Sequence, residues 1–170
     1  LNNGRDVKKN EEEPKAQPIK EKIKALADIL ERTRWASEFS WDQIYKICEY
    51  VRPVRAKEGV FVFQEGDVEK SVGIIVKGGI DIYKDKEGEL SKLTTLQTSF
   101  TFGEMSLIDG EPRSATGIAS QETIIYFISR KNLILLANDN PALGFKLLWK
   151  ISKIISQRLR NTTGKLVDLL

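Results

Sequence analysis

Between Val54 and Ile128 the chain runs through a succession of short β-rich segments with no helix-length pattern between them, and this most constrains its fold. The segments "VFVF", "VGIIV", "IDIYK", "LTTL" and "TIIYFI" are separated by the turn signals "QEGD", "KGG" and "KEGE". With no helix to separate the strands, the spacing argues for an antiparallel roll or sandwich. No fixed-period repeat accompanies it.

Helical patterns flank this region. Ile19, Ile23, Leu26 and Leu30 recur at helical spacing and predict a helix to about Thr33. In "SWDQ", Ser40 and Gln43 form a capping-box pattern that opens a second helix. Ile44, Ile47 and Val51 would be its inner face and Pro53 its end. After the strands, Ser129 can cap "RKNLILLAND", and Asn140-Pro141 opens a last helix. Leu147, Ile151, Ile155, Leu159, Leu166 and Leu169 mark an apolar seam on it, broken at Thr162. The expected organisation is a polar tail or linker over 1–18, helices over 19–52, a β roll over 53–128 and helices over 129–170. The fold class is mainly β with flanking α.

The 170 residues suit one domain with a real core. A net charge of +3 is too small to imply nucleic acid. The cations of 145–170 read as a solvated helix face. Cys48 is the only cysteine, which excludes an internal disulfide and fits a reducing, cytoplasmic compartment; its apolar surroundings read as core. No apolar run reaches membrane-spanning length and no signal peptide is visible. The chain starts at Leu1 rather than Met, as a fragment of a longer protein would.

The chemistry gathers in "FGEMSLIDGEPRSAT", residues 102–116. Catalysis has little support: there is no histidine, no Cys/His metal cluster, no P-loop and no nucleophile elbow. The expectation is a binding protein without enzyme activity, cofactor or metal. Gly103 lets backbone approach a ligand, and "EMSLI" can form a helical turn with free N–H groups. Arg113 offers a planar fork for phosphate oxygens. Ser114 adds a hydroxyl, Ala115 takes little room, and Pro112 fixes the approach to the strand. Glu104 accepts hydrogen bonds and so wants hydroxyls. The set describes a nucleotide-like ligand with one phosphate and a sugar hydroxyl. The same residue types are equally consistent with a Glu104–Arg113 ion pair that braces a loop.

The stretch resembles the phosphate-binding cassette of the cyclic nucleotide-binding domain family. That pattern runs Phe-Gly-Glu, an aliphatic residue, a small residue and Leu, then a short spacer, then Pro-Arg, a small residue, Ala and Thr or Ser. This chain supplies "FGEMSLI", "DGE" and "PRSAT" without a gap. "AKEGVFVFQEGD" and "VGIIVKGGIDIY" are similar to the family's preceding strands and hairpin, so the likeness covers about 44–166. Ser99, where the family often has Gly, and Gly73, in place of an aromatic, depart from it.

The resemblance implies a β jelly roll, or double-stranded β-helix, with N-terminal helices and a long C-terminal helix. It implies Glu104 on the ribose 2′-hydroxyl and Arg113 on the cyclic phosphate. Ser114 and the backbone from Gly103 through Met105 to Ser106 complete the cradle, with Phe102 and Ala115 part of the set. Ser after the arginine favours cAMP over cGMP. "QRLRNTTGKLVDLL" is similar to the long helix of the family's catabolite-activator branch, which puts Thr162 on the base. Thr163 would reach the same base or the one in a partner subunit, and the seam would pack against its twin in a homodimer. Against that, "NTTG" also reads as a helix end.

The expected function is thus a cyclic-nucleotide sensor that relays occupancy through its C-terminal helix. A ligand-free interaction scaffold and the effector half of a DNA-binding regulator are the alternatives. Neither a DNA-reading element nor a nucleic-acid contact is expected from the chain itself.

Overall fold

A computed structural model describes residues 16–167. The elements run in the order β1 (Gln17–Pro18), α1 (Ile23–Glu31), a 3-10 turn (Arg34–Ala36), α2 (Trp41–Cys48), β2 (Arg52–Ala56), β3 (Phe61–Phe63), β4 (Ser71–Lys77) and β5 (Gly79–Lys86). Then come β6 (Glu89–Gln97), β7 (Thr101–Phe102), α3 (Glu104–Ile108), β8 (Thr116–Ala119), β9 (Thr123–Ser129), α4 (Arg130–Asp139) and α5 (Pro141–Val167).

All strand pairings are antiparallel and make two sheets, β1-β2-β9-β4-β7 and β3-β8-β5-β6. This is the antiparallel roll that the strand spacing implied, with the jelly-roll form and flanking helices that the resemblance implied. Central strands β4 and β9 read as unbroken apolar runs because both faces of their sheet are covered. Side chains alternate across a strand. Val72, Ile74, Val76, Tyr126 and Ile128 therefore face the helices, and Ile75, Ile125 and Phe127 face the interior of the roll with Val54, Ile80 and Phe102. The β5–β6 hairpin turns through Glu87 and Gly88, both at positive φ, the conformation a two-residue hairpin needs.

The helical caps sit where the sequence placed them. Ser40 and Gln43 close a reciprocal capping box on α2, and the Ser129 hydroxyl accepts from Asn132 N at 3.1 Å at the start of α4. Two boundaries differ from expectation. α1 starts at Ile23, not Ile19, because Ile19 N donates to Pro53 O (3.0 Å) and extends the β1–β2 pairing. Gln17–Pro18, inside the segment expected to be a tail, pair with Arg55 and Val54 at a sheet edge, where proline is tolerated; the rest of the expected tail, 1–15, lies outside the described residues. α2 ends at Cys48, ahead of Pro53, which instead pairs in β2. Cys48 is buried, and burial pushes its thiol up to about 12, so it stays protonated as part of the core.

The last helix does not stop at "NTTG" but continues to Val167. Its apolar residues divide between two faces. Leu143, Leu147 and Ile151 are buried in the helical core with Ile155 packed beside them. Ile151 and Ile155 therefore cannot belong to a surface seam, which corrects the expected one. A different stripe faces solvent: Phe145, Leu148, Trp149 and Leu159. Leu166 and Leu169 lie outside the residues whose side chains are described.

Candidate functional site

The site is built where β7 turns into α3. Gly103 holds the turn at φ +79, the left-handed region that favours glycine. A Cβ there would meet Arg113 Nη1 at 1.6 Å and Ser71 O at 2.6 Å. Glycine is therefore required twice, for its backbone angle and because the Arg113 guanidinium lies directly against it.

Arg113 is fixed from both ends. Its backbone N donates to Asp67 O, and its carbonyl accepts from Gly66 N, each at 2.8 Å. Its side chain folds inward to 3% exposure, with the guanidinium 5.4 Å from the centroid of the Phe63 ring. One nitrogen is satisfied: Nη2 donates to Ser71 Oγ at 2.9 Å. Nε and Nη1 have no partner. Burial pushes the guanidinium below its ordinary value, while Glu69, Asp67 and Glu104 pull the other way; at such high basicity it remains a cation. A buried cation with two open donors on one fork is an anion site in wait, since such groups are costly unless hydrogen-bonded.

Glu104, the first residue of α3, is 2% exposed. It accepts from Thr101 Oγ1 and, at 2.7 Å, from Arg158 Nη1. Arg158 Nη2 also donates to Thr101 O at 2.5 Å. The carboxylate is thus paired with a cation 54 residues away on α5 and not with Arg113, which removes the reading of Glu104 and Arg113 as a mutual brace.

The remaining candidates divide. Ser106 is buried in the first turn of α3, whose leading N–H groups have no intrahelical partner. Ser114 is exposed, its carbonyl accepting from Lys84 Nζ at 2.9 Å, and Ala115 is half-buried beside it. Met105 points outward at 57% exposure. The Phe102 side chain faces the roll interior, stacked on Phe63 (4.9 Å) and edge-on to Phe127 (5.6 Å), so it shapes the site from behind. Thr162 and Thr163 are exposed on α5, one turn beyond Arg158 and Leu159. Their hydroxyls donate back to Arg158 O and Leu159 O, each at 2.9 Å.

Both departures from the family pattern have local causes. Ser99 sits at φ +77, a conformation glycine adopts more readily, and its hydroxyl accepts from Arg34 N at 3.0 Å. A Cβ on Gly73 would meet the Phe102 ring at 2.2 Å, so the missing side chain makes room for that ring. Arg158 and Ser71, both in direct contact with candidate residues, carry no local sequence signal. An open cleft of about 540 Å³ borders the end of the cassette stretch at Thr116, lined also by Phe61, Gln64, Glu65, Asp85 and Leu90.

Comparison with known proteins agrees with this geometry. The model of the family described as "Cyclic nucleotide-binding domain" matches residues 53–140. The chain is 29% identical over 128 residues to a CRP-like cAMP-activated global transcriptional regulator of Mycobacterium tuberculosis, covering 75% of this chain and 55% of that protein. It is 31% identical over 98 residues to a cGMP-dependent protein kinase of Plasmodium berghei, covering 58% of this chain and 11% of the kinase. The chain therefore spans about half or less of these relatives. Among solved structures it is similar to a cyclic nucleotide-binding domain from Methylobacillus flagellatus, with a TM-score of 0.74 and 26% identity, covering 87% of this chain and 84% of that one.

Proposed function

The chain belongs to the cyclic nucleotide-binding domain family, and from that premise we propose that it binds cAMP in preference to cGMP and passes occupancy to α5. The observation that carries the proposal is the buried Arg113 fork with Nε and Nη1 unpaired. Unpaired N–H donors on both edges of one buried cation suit the oxygens of a phosphodiester monoanion. The N–H groups opening α3 and the Ser114 hydroxyl supply further donors to the same phosphate. A ligand-free scaffold has no use for such a group, whose desolvation is uncompensated.

Glu104 takes the ribose 2′-hydroxyl. A carboxylate offers about four acceptor sites, and two are in use, by Thr101 and Arg158. The hydroxyl can therefore be accepted without releasing Arg158, and α5 stays tied to the ligand through Glu104. Base choice follows from the Thr162 hydroxyl, whose proton is committed to Arg158 O. Its oxygen is left as an acceptor, which suits the 6-amino group of adenine and not the 6-oxo group of guanine.

The partner proposed for α5 is a second copy. Residues 159–164 are exposed all round, and a helix free in solvent over such a stretch is marginal alone. Phe145, Trp149, Ser152, Ser156, Leu159 and Thr163 are all exposed and recur in alternating steps of four and three, the spacing of a two-helix seam. Sedimentation equilibrium tests it: Leu159→Glu should convert a dimer to a monomer, and a wild-type monomer with and without cAMP would refute it.

Titration calorimetry with cAMP, cGMP and 5′-AMP tests the binding proposal. The expected order is cAMP, then cGMP, then 5′-AMP, whose dianionic terminal phosphate does not match a cradle for a cyclic diester. Absence of heat with every ligand, or tighter binding of 5′-AMP, would overturn it.

A further inference from the structure

A second open cleft, of about 490 Å³, lies at the start of α4. Lys70, just ahead of β4, lines it together with Ser129, Arg130 and Lys131, and with Ile134 and Leu135 one turn further along the helix. That volume lies in the range of small-molecule sites. Ile134 and Leu135 are large aliphatics, yet they are 53% and 46% exposed. They are not part of the helical core, which α4 reaches through Leu133 and Leu136.

Three cations border this apolar surface. Arg130 Nε donates to Leu107 O at 2.7 Å and Nη2 to Ile108 O at 2.6 Å, while Nη1 has no bond among the described residues. Arg130 N donates to Lys70 O at 2.8 Å, which keeps the two residues side by side. A Cβ on Gly110 would lie 3.2 Å from Arg130 Nη1 and 3.3 Å from Lys70 Nζ, so the two charges are no farther apart than those distances together. Among the described residues Lys70, Arg130 and Lys131 make no ion pair. Like charges this close repel, and an anion between them offsets the repulsion. Residues four apart share a helix face, so Ile134 follows Arg130 and Leu135 follows Lys131 along α4. Charge at one end and aliphatic surface at the other match the head and tail of an amphiphile. The described lining has no aromatic ring on which a base could stack and no carboxylate for sugar hydroxyls, which argues against a second nucleotide site.

We propose that this cleft binds a free anionic amphiphile with a single alkyl chain. Lys70 and Arg130 hold its head group, Lys131 adds charge at the rim, and the chain lies along Ile134 and Leu135. The site uses none of the residues assigned to the cyclic nucleotide and stands without that reading.

Titration calorimetry of the full chain with dodecanoate, kept below its micelle concentration, tests the proposal. Decanoate and octanoate should bind progressively more weakly, by up to about fourfold for each methylene lost. Lys70→Glu should weaken dodecanoate by at least about fivefold, the upper worth of one exposed ion pair. Lys131→Glu should weaken it in the same direction and decides the question if the Lys70 variant does not fold. Methyl carbon-13 NMR locates the ligand: the Ile134 δ1 signal, assigned by its loss in Ile134→Val, should shift on binding. No heat with dodecanoate, affinity independent of chain length, or binding that leaves the Ile134 signal unmoved would overturn the proposal. So would cosedimentation with phosphatidylglycerol vesicles in the absence of dodecanoate binding, which would make this surface a membrane contact.

Discussion

Arg113→Ala should separate binding from folding, because the side chain acts on the two with opposite sign. In the free protein its Nε and Nη1 are buried and unpaired, and each such donor costs about 1–3 kcal/mol. Removing them offsets the packing lost over Gly103 and the Phe63 ring, so unfolding free energy should change little. In the complex the same group makes a desolvated charge-assisted contact, whose truncation costs about 2–5 kcal/mol. At about 1.4 kcal/mol per tenfold, cAMP affinity should fall by roughly 30-fold to several thousand-fold. Arg113→Met keeps the stem on the Phe63 ring and should lose as much affinity while matching or exceeding wild-type stability. Titration calorimetry gives the affinity, and thermal unfolding without ligand gives the stability. Wild-type affinity in either folded variant would refute the reasoning. So would a Met variant that melts far below wild type, since the guanidinium would then be a structural brace.

Other substitutions probe the remaining contacts. Gly103→Ala puts a Cβ where Arg113 Nη1 lies and strains a left-handed residue by about 1–3 kcal/mol; it should lower the melting temperature and abolish cAMP binding together. Glu104→Gln keeps a hydrogen-bonding oxygen, so it should lose less affinity than Arg113→Ala and narrow the gap between cAMP and its 2′-deoxy analogue. Equal wild-type affinity for the two ligands would make Glu104 structural. Glu38 is held below the usual carboxylate range by Lys150 first and Lys153 next. A depressed folded value means its contribution is full above the ordinary carboxylate pKa and lost as pH falls through the lower folded one. Melting temperature should therefore drop on acidification below the ordinary carboxylate range less steeply in Glu38→Gln than in wild type.

The gathering of Gly103, Glu104 and Arg113 at one turn was legible because these residues are close in sequence, and the turn at Gly103 stands as expected. Local caps at Ser40 and Ser129 were legible for the same reason. Arg158 was not, since a cation on a helix reads as a solvated face until the fold brings it to a carboxylate 54 residues away. Ser71, Arg130 and the Gly73–Phe102 fit are likewise tertiary facts. The seam on α5 was misread because its apolar residues form two stripes. Periodicity identifies an apolar face but not whether its own domain has already covered it, as it has at Ile151 and Ile155.

Nitrogen-15 NMR of the Arg113 Nε–H, assigned by its loss in Arg113→Lys, tests the central claim most directly. That N–H is buried without a partner in the free protein. With cAMP at saturation it should move downfield and exchange more slowly with water, as a proton bonded to a phosphate oxygen does. A resonance unchanged at saturation would contradict the assignment of Arg113 as the residue that holds the cyclic phosphate.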